Sequence, residues 1–313
     1  MIKFILFLVL FIASNLFSQK DELIIFHAGS FSKPMEKLIE VFRKENPNVN
    51  VKREIAGSVE CARKITELNK PCDVFVSSDY QVINNFLIPN YANWNLKFAT
   101  NEIVIAFTQK SKRAKEISIK NWFNILSNDK IKIARSEPNL DPCGYRTVLA
   151  LKLAEKFYRV KQLSKKILEK NPELIRPKEV DLLALLEIGE ADYIFTYRSV
   201  AIQHKLKFIS LPDEFNLSNP AFNNFYITES IALKGKNPKE KIIQKGEAIA
   251  YGVTIPQNSL NSNTAIKFVD FLLSEKGKKI IEGNGLKFIH PISCINCNSV
   301  PKELKKYVIV SND

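Results

Sequence analysis

Short apolar runs alternate with amphipathic stretches along the first third of the chain. The runs at residues 23–28, 49–55 and 73–78 predict β-strands, because they are short and bounded by small or polar residues. The stretches between them predict helices, one from Pro34 and one over residues 59–69. In the first helix the apolar side chains recur at helical spacing, at Met35, Leu38, Ile39 and Phe42. This order predicts a parallel sheet with right-handed crossovers.

The alternation continues beyond residue 100 and predicts a second α/β unit. Strands are expected at residues 101–107, 131–134, 193–197, 208–211 and 250–256. Helices are expected at residues 122–126, 142–158, 263–274 and 275–283, with another opening at Pro177. The fold class is therefore α/β, with two lobes joined by two crossing strands and a cleft between them. The expected division is lobe 1 at 22–105 plus 253–290, lobe 2 at 106–252, and a C-terminal tail at 291–313.

Residues 1–18 have the organisation of a secretory signal peptide. Lys3 precedes an apolar core at residues 4–13, and a small and polar stretch ends at Ser18. The core is too short to cross a membrane comfortably, and no cysteine follows it that could carry a lipid. We therefore expect an extracytoplasmic protein, periplasmic where the cell has an outer membrane. An uncleaved N-terminal anchor is the alternative.

Charge and cysteine content narrow the function classes further. The formal net charge of +13 would suit nucleic acid, an anionic membrane surface or a small anion, but export argues against nucleic acid as a partner. Of the five cysteines, Cys294 and Cys297 could close a small loop in an oxidising compartment. We expect Cys61, Cys72 and Cys143 to be free thiols, and we expect no resident cofactor.

The tripeptide Ala-Gly-Ser occurs twice, at residues 28–30 and 56–58, each time where a strand passes into a helix. In an open parallel sheet such loops lie side by side at the carboxyl ends of the strands, where ligands bind. Helix N-termini there offer N–H groups and partial positive charge to an anion. Two matched loops predict one oxyanion between Ser30 and Ser58. The alternative is two ordinary helix caps.

Two acids lie at predicted helix starts in the second unit. Asp141 precedes Pro142, and Glu179 lies in the first turn of the next helix. An acid at such a position stabilises the helix by roughly 0.3–1 kcal/mol, which is a sufficient reason for either one alone. His27, beside the first Ala-Gly-Ser loop, could donate to an anion or pack as a structural residue.

Several longer motifs occur in one order along the chain. They are His-Ala-Gly-Ser at 27–30, Ala-Gly-Ser-Val at 56–59, Asp-Tyr at 79–80, Tyr-Ala-Asn-Trp at 91–94, Asp-Pro-Cys-Gly-Tyr-Arg-Thr at 141–147 and Asp-Tyr-Ile-Phe-Thr-Tyr-Arg-Ser-Val at 192–200. In that order they resemble the archaeal-type molybdate/tungstate-binding protein of an ABC importer. The resemblance runs from about residue 23 to about residue 290, and it departs around residues 171–178, at the rim of the cleft.

The resemblance implies a type II periplasmic-binding-protein fold, a solute-binding protein that is not an enzyme, and a permease in the membrane as partner. We expect a monomer. By motif, the contacts to molybdate or tungstate fall on Gly29, Ser30, Ser58, Asp141, Pro142, Cys143, Glu179 and Tyr197.

Two carboxylates beside a dianion require a chemical reason. At 4 Å and an effective dielectric constant of 20, each charge pair would repel by roughly 4 kcal/mol. Hexavalent molybdenum and tungsten are hard centres that can expand beyond four oxygens, and hard carboxylate oxygens suit them. We therefore hypothesise that Asp141 and Glu179 bond to the metal of the oxyanion and complete six-coordination. The alternatives are a phosphate or sulfate receptor, or an exported phosphate-ester enzyme on the same fold.

Overall fold

A computed structural model describes residues 21–235 and 239–308. Its strands are β1 (Asp21–Ala28), β2 (Val49–Ala56), β3 (Val74–Ser77), β4 (Asn95–Thr100), β5 (Ile103–Phe107), β6 (Ile133–Ser136), β7 (Ile175–Arg176), β8 (Tyr193–Tyr197), β9 (Lys207–Ser210), β10 (Ser230–Lys234), β11 (Lys241–Lys245), β12 (Tyr251–Thr254) and β13 (Lys287–Ile295). Its α-helices are α1 (Ser32–Glu45), α2 (Ser58–Thr66), α3 (Tyr80–Val82), α4 (Trp122–Leu126), α5 (Pro142–Tyr158), α6 (Leu163–Leu168), α7 (Leu182–Glu187), α8 (Arg198–Gln203), α9 (Asn223–Tyr226), α10 (Ser262–Leu273) and α11 (Glu275–Gly283).

The first lobe is built on a six-stranded sheet in the order β13-β4-β12-β3-β1-β2. Strands β2 and β3 both run parallel to β1, as the strand–helix order predicts. Ala28 pairs with Ala56, so the two Ala-Gly-Ser loops leave the sheet side by side at one edge. Helix α1 covers this sheet with the predicted apolar face, and its Phe42 ring meets Phe268 of α10 edge-on at 5.1 Å.

The second lobe is built on a five-stranded sheet in the order β7-β6-β8-β5-β9. Strands β6 and β8 are parallel, so residues at their carboxyl ends lie at one edge of the sheet. The antiparallel hairpin β10–β11 packs on α5 and was not expected from the sequence. The fold is thus the predicted α/β architecture of two lobes.

The chain passes between the two sheets at residues 101–102 and again at residues 246–250. Strand β5 therefore lies wholly in the second sheet, although the expected boundary at residue 105 divided it. Likewise β12 begins at Tyr251 in the first sheet, ahead of the expected boundary at residue 253. Both differences arise because apolar runs indicate a strand without indicating which sheet it joins.

The expected boundary at residue 290 is wrong, because β13 continues past it. Ser293 and Cys294 pair with β4, so part of the expected tail forms an edge strand of the first sheet. A disulfide joins Cys294 to Cys297, and Tyr307 bonds to Asp270 of α10. The other three cysteines are buried free thiols, as expected.

The predicted signal peptide at residues 1–18 lies outside the described residues. Within residues 21–235 and 239–308, no helix has the length and hydrophobicity needed to cross a bilayer.

Candidate functional site

The polar residues singled out in the sequence meet at the edge where the two lobes face each other. Ser30 and Ser58 follow β1 and β2 in the first lobe, whereas Asp141, Glu179 and Tyr197 come from the second. All five residues are buried, with at most 1% of their surface exposed. A closed polar site of this kind needs internal hydrogen-bond partners, because water does not reach it.

The two serine hydroxyls do not cap their helices. Ser30 lies in a 3-10 turn before α1, and its Oγ accepts a hydrogen bond from the Tyr251 hydroxyl at 2.9 Å. Ser58 is the first residue of α2, and its Oγ accepts from the backbone N–H of Ser78 at 3.0 Å. The capping alternative therefore fails for both serines, because each hydroxyl bonds to another residue of the first lobe instead.

The glycines of the two loops allow the lobes to approach each other. A Cβ at Gly57 would lie 2.3 Å from the carbonyl oxygen of Leu140 in the second lobe. A Cβ at Gly29 would lie 2.9 Å from a methyl of Val180 and 3.3 Å from Glu179 Oε2. Any side chain at Gly57 would clash with backbone, so the second lobe can close on this loop only because the residue is glycine.

Asp141 is the N-cap of α5, so the helix-capping alternative holds for this acid. Its Oδ1 accepts from the backbone N–H of Cys143 at 3.2 Å, and its Oδ2 accepts from the backbone N–H of Glu179 at 2.8 Å. The same carboxylate thus fixes the start of α5 and the turn that carries Glu179. The N–H of Cys143 is used in this way, and Pro142 has none to offer.

Glu179 begins a 3-10 turn ahead of α7 rather than the α-helix expected from Pro177. Its Oε1 is buried and receives no hydrogen bond from a donor within the described residues, and the carboxyl lies within hydrogen-bonding reach of the Asp141 carboxyl. Burial, and then the charge of Asp141, raise the pKa of Glu179 well above its ordinary value. Burial also raises the pKa of Asp141, although less strongly. Both shifts have the same cause, because burial and a neighbouring acid each disfavour the charged form of a carboxyl group.

Three further buried residues link the lobes at this edge, and the sequence reasoning missed their role. Arg146 of α5 donates to the Ser78 carbonyl at 2.6 Å and to the Tyr197 hydroxyl at 2.8 Å. It also pairs with Asp79 of the first lobe at 3.1 Å, and Tyr145 donates to the same carboxylate oxygen at 2.5 Å. Buried charges of opposite sign compensate each other here. Asp79 lies in the motif at residues 79–80, and Tyr145 and Arg146 lie in the motif at residues 141–147, so these two motifs were the only indication of their role in the sequence.

The Nε2 of His27 is buried and has no hydrogen-bond partner within the described residues, so its role as a donor to the anion stays a prediction. The His27 side chain is fully buried, and its Nδ1 lies 2.9 Å from the carbonyl of Ala28. Burial lowers its pKa to about 4, so the ring is neutral at physiological pH. A neutral ring brings no positive charge to the nearby site.

No group of three or more His, Cys, Asp or Glu that could hold a metal ion occurs within residues 21–235 and 239–308. The Asp141–Glu179 pair supplies only two carboxyl groups. A metal bound here would need most of its ligands from another source.

Two α/β lobes that close over a buried polar site at their facing sheet edges define a solute-binding protein. The chain belongs to the family of bacterial extracellular solute-binding proteins, whose model matches residues 23–287. Members of this family are transport proteins and not enzymes, which removes the phosphate-ester enzyme from the alternatives.

The chain is similar to several known solute-binding proteins along most of its length. The chain is 42% identical over 310 residues to an uncharacterized solute-binding protein of Petrotoga mobilis, covering 98% of this chain and 97% of the relative. It is 40% identical over 318 residues to the molybdate/tungstate-binding protein WtpA of Pyrococcus abyssi, covering 92% and 90%. The periplasmic molybdate-binding protein of Azotobacter vinelandii superposes with a TM-score of 0.62 over 86% of this chain and 99% of its own, at 18% identity. That last likeness shows the fold alone.

Proposed function

We propose that this protein captures molybdate or tungstate outside the cytoplasm and delivers it to an ABC importer in the membrane. The Pyrococcus abyssi relative bears the name of a molybdate/tungstate-binding protein and matches along nearly its whole length. The observation that carries the proposal in this chain is the Glu179 carboxyl, which is buried with one oxygen unpartnered and faces the Gly29 loop. Two buried carboxyl groups side by side, one of them with an oxygen that receives no hydrogen bond, are costly, and a ligand that bonds to both would remove that cost.

The proposed contacts divide by chemistry. The hydroxyls of Ser30, Ser58 and Tyr197 donate to the oxygens of the anion, together with backbone N–H groups of the Gly29 loop. One oxygen from Asp141 and one from Glu179 bond to the hexavalent metal, so four oxo groups and two carboxylate oxygens complete six-coordination. The ligand then brings most of its own oxygens, in keeping with the presence of only two acids. The contact from the Pro142–Cys143 backbone stays a prediction.

Selectivity against sulfate would follow from the same two acids. Sulfur in sulfate does not readily expand beyond four oxygens, so sulfate would meet only the repulsion of the carboxylates. Tungstate and molybdate would replace that repulsion with two bonds to the metal. The site would thus discriminate through a repulsive element as well as an attractive one.

Calorimetry on matched variants tests the coordination. We expect Glu179→Gln and Asp141→Asn to lose tungstate and molybdate affinity by at least tenfold, whereas any weak sulfate binding improves. Asp192→Asn is the control, because Asp192 is also buried and also accepts two backbone N–H bonds, from Lys112 and Lys132, away from the cleft. We expect it to bind tungstate like the wild type.

X-ray absorption at the tungsten edge then reads the coordination number directly. Six-coordination in the wild type that falls towards four in Glu179→Gln would support the carboxylate bonds. A four-coordinate anion in the wild type, or variants that keep both affinity and the preference over sulfate, would contradict them. Tighter binding of sulfate or phosphate than of tungstate would favour the other receptor class.

A further inference from the structure

We propose that Tyr251 is a positioning residue that directs the hydroxyl hydrogen of Ser30 towards the bound anion. This inference rests on the proposed function, because it concerns the same site. Tyr251 opens β12 in the first lobe, within the strand that the sequence predicts at residues 250–256. Its hydroxyl stands between Ser30 and Asn101, and the direction of each hydrogen bond follows from the groups around them.

The orientation of the Asn101 amide is determined by two backbone donors. Its Oδ1 accepts from the N–H of Glu102 at 3.0 Å and from the N–H of Ser199 at 3.3 Å. The other end of the amide must therefore be the nitrogen, which can only donate. It donates to the Ser199 hydroxyl at 2.7 Å and to the Tyr251 hydroxyl oxygen at 3.2 Å.

The single hydrogen of the Tyr251 hydroxyl then has one direction left. Asn101 Nδ2 can only donate, so among the described residues the one acceptor for this hydrogen is Ser30 Oγ at 2.9 Å. The ring cannot turn away, since it is fully buried against Phe31 and Phe98, with centroid distances of 6.0 and 6.4 Å. Tyr251 is thus a fixed donor to Ser30.

Ser30 receives this hydrogen bond and keeps its own hydrogen for another acceptor. Among residues 21–235 and 239–308, Tyr251 is the only hydrogen-bond partner of the Ser30 hydroxyl. The adjacent Gly29 faces Glu179 across the lobe interface, so the space beside Ser30 is the proposed anion site. A hydroxyl in this state is prepared to donate to an oxygen that carries no hydrogen. No reorientation is then needed when the anion enters.

The arrangement also depends on the second lobe. Asn101 lies where the chain crosses between the sheets, and Ser199 belongs to α8 of the second lobe. The Ser199 N–H helps to orient the Asn101 amide, and that amide in turn orients the Tyr251 hydroxyl. Ser30 is therefore prepared as a donor in the arrangement of the lobes that this structure records.

A double-mutant cycle on tungstate binding separates positioning from a general structural role. Tyr251→Phe and Ser30→Ala are each expected to raise the Kd for tungstate about tenfold, the size of a hydrogen bond to a charged ligand. If Tyr251 acts through the Ser30 hydroxyl, the double variant binds no more weakly than Ser30→Ala alone. Tyr193→Phe is the control, because that buried hydroxyl bonds to the Lys112 carbonyl at 2.6 Å, at the other end of β8 from Tyr197. It should leave the Kd unchanged.

The outcomes are distinct. A double variant about a hundredfold weaker than the wild type would mean independent effects and would overturn the positioning role while leaving the proposed function intact. Wild-type protein that binds neither tungstate nor molybdate would overturn the proposed function and this inference with it.

If Tyr251→Phe does not fold, Asn101→Asp replaces it in the same cycle. The new carboxylate would attract the Tyr251 hydrogen away from Ser30, whereas any effect of its charge alone would persist when Ser30 is replaced by Ala. A loss of affinity that occurs only when Ser30 is present supports the proposal. An equal loss in the Ser30→Ala protein overturns it.

Discussion

Removal of the Tyr145 hydroxyl should weaken ligand binding, although this hydroxyl is not among the proposed ligand contacts. Tyr145 lies on α5 of the second lobe, fully buried, and its hydroxyl donates to Asp79 Oδ2 of the first lobe at 2.5 Å. This hydrogen bond exists only while the lobes are together, because its two ends belong to different sheets. In an open form both groups would be hydrated instead. Tyr145→Phe therefore destabilises the closed form selectively.

The size of the effect follows from the charge on the acceptor. A hydrogen bond to a charged group contributes about 1.5–3 kcal/mol, roughly twice the value for a neutral pair. Asp79 keeps two other partners, Arg146 at 3.1 Å and the N–H of Gln81 at 2.9 Å, so the variant leaves no unpaired charge. We therefore take a loss of about 2 kcal/mol, which corresponds to about a thirtyfold rise in the Kd for tungstate.

Calorimetry and small-angle X-ray scattering check the two halves of this argument. We expect the Kd to rise about thirtyfold, the preference for tungstate over sulfate to stay unchanged, and the ligand-free variant to have a larger radius of gyration than the wild type. Tyr158→Phe is the control, since Tyr158 lies on the same helix with its ring packed on Trp122 inside the second lobe. An unchanged Kd with an unchanged radius would refute the assignment of this contact to closure. A changed preference for the anion would show instead that Tyr145 acts on the site itself.

Three further predictions follow from buried contacts. Gly57→Ala should fold but keep the lobes apart, because its Cβ would lie 2.3 Å from the Leu140 carbonyl oxygen, and we expect at least a tenfold rise in the tungstate Kd with an unchanged melting temperature. Burial lowers the pKa of His27 to about 4 in the folded protein, so the unfolded chain takes up the proton first and folding stability is lost as the pH falls from 6.5 towards 4. In urea unfolding, His27→Gln should therefore lose about 2 kcal/mol less than the wild type between pH 7 and pH 5, and equal losses would contradict this. Replacing Cys294 and Cys297 together by Ser should lower the free energy of unfolding by no more than about 2 kcal/mol, because the disulfide closes a loop of only four residues, and a larger loss would point to a wider role for this segment.

Local patterns in the chain were sufficient to predict most elements of the fold. Helix α5 was predicted with the bounds that it has, because Asp141 and Pro142 form a strong helix start and apolar residues continue to Tyr158. The parallel arrangement of β1, β2 and β3 followed from the helices between them. The sheet membership of β5 and the strand after residue 290 did not follow, because pairing between distant strands leaves no local periodicity.

The candidate site was predictable in its residue types and less so in its bonds. Small residues after two neighbouring strands indicated where Ser30 and Ser58 would lie, and helix starts indicated Asp141 and Glu179. The partners could not be predicted. Nothing local in the sequence says that the hydroxyl of Tyr251 reaches Ser30, or that Arg146 crosses to Asp79, since those pairs are 221 and 67 residues apart and are brought together only by the packing of the lobes.

If the proposed coordination holds, closure and selection would use different residues among the buried charges at this edge. Arg146 and Tyr145 join the lobes through their contacts with Asp79, which is not among the proposed ligand contacts. These contacts favour the closed form but cannot distinguish one anion from another, because a contact common to all ligands changes their affinities equally. Discrimination must come from groups whose energy depends on the ligand. Under the proposed coordination, Asp141 and Glu179 would be such groups, since they would repel sulfate but bond to a metal that accepts their oxygens. The contacts that join the lobes can then be strong without reducing the preference for one anion over another.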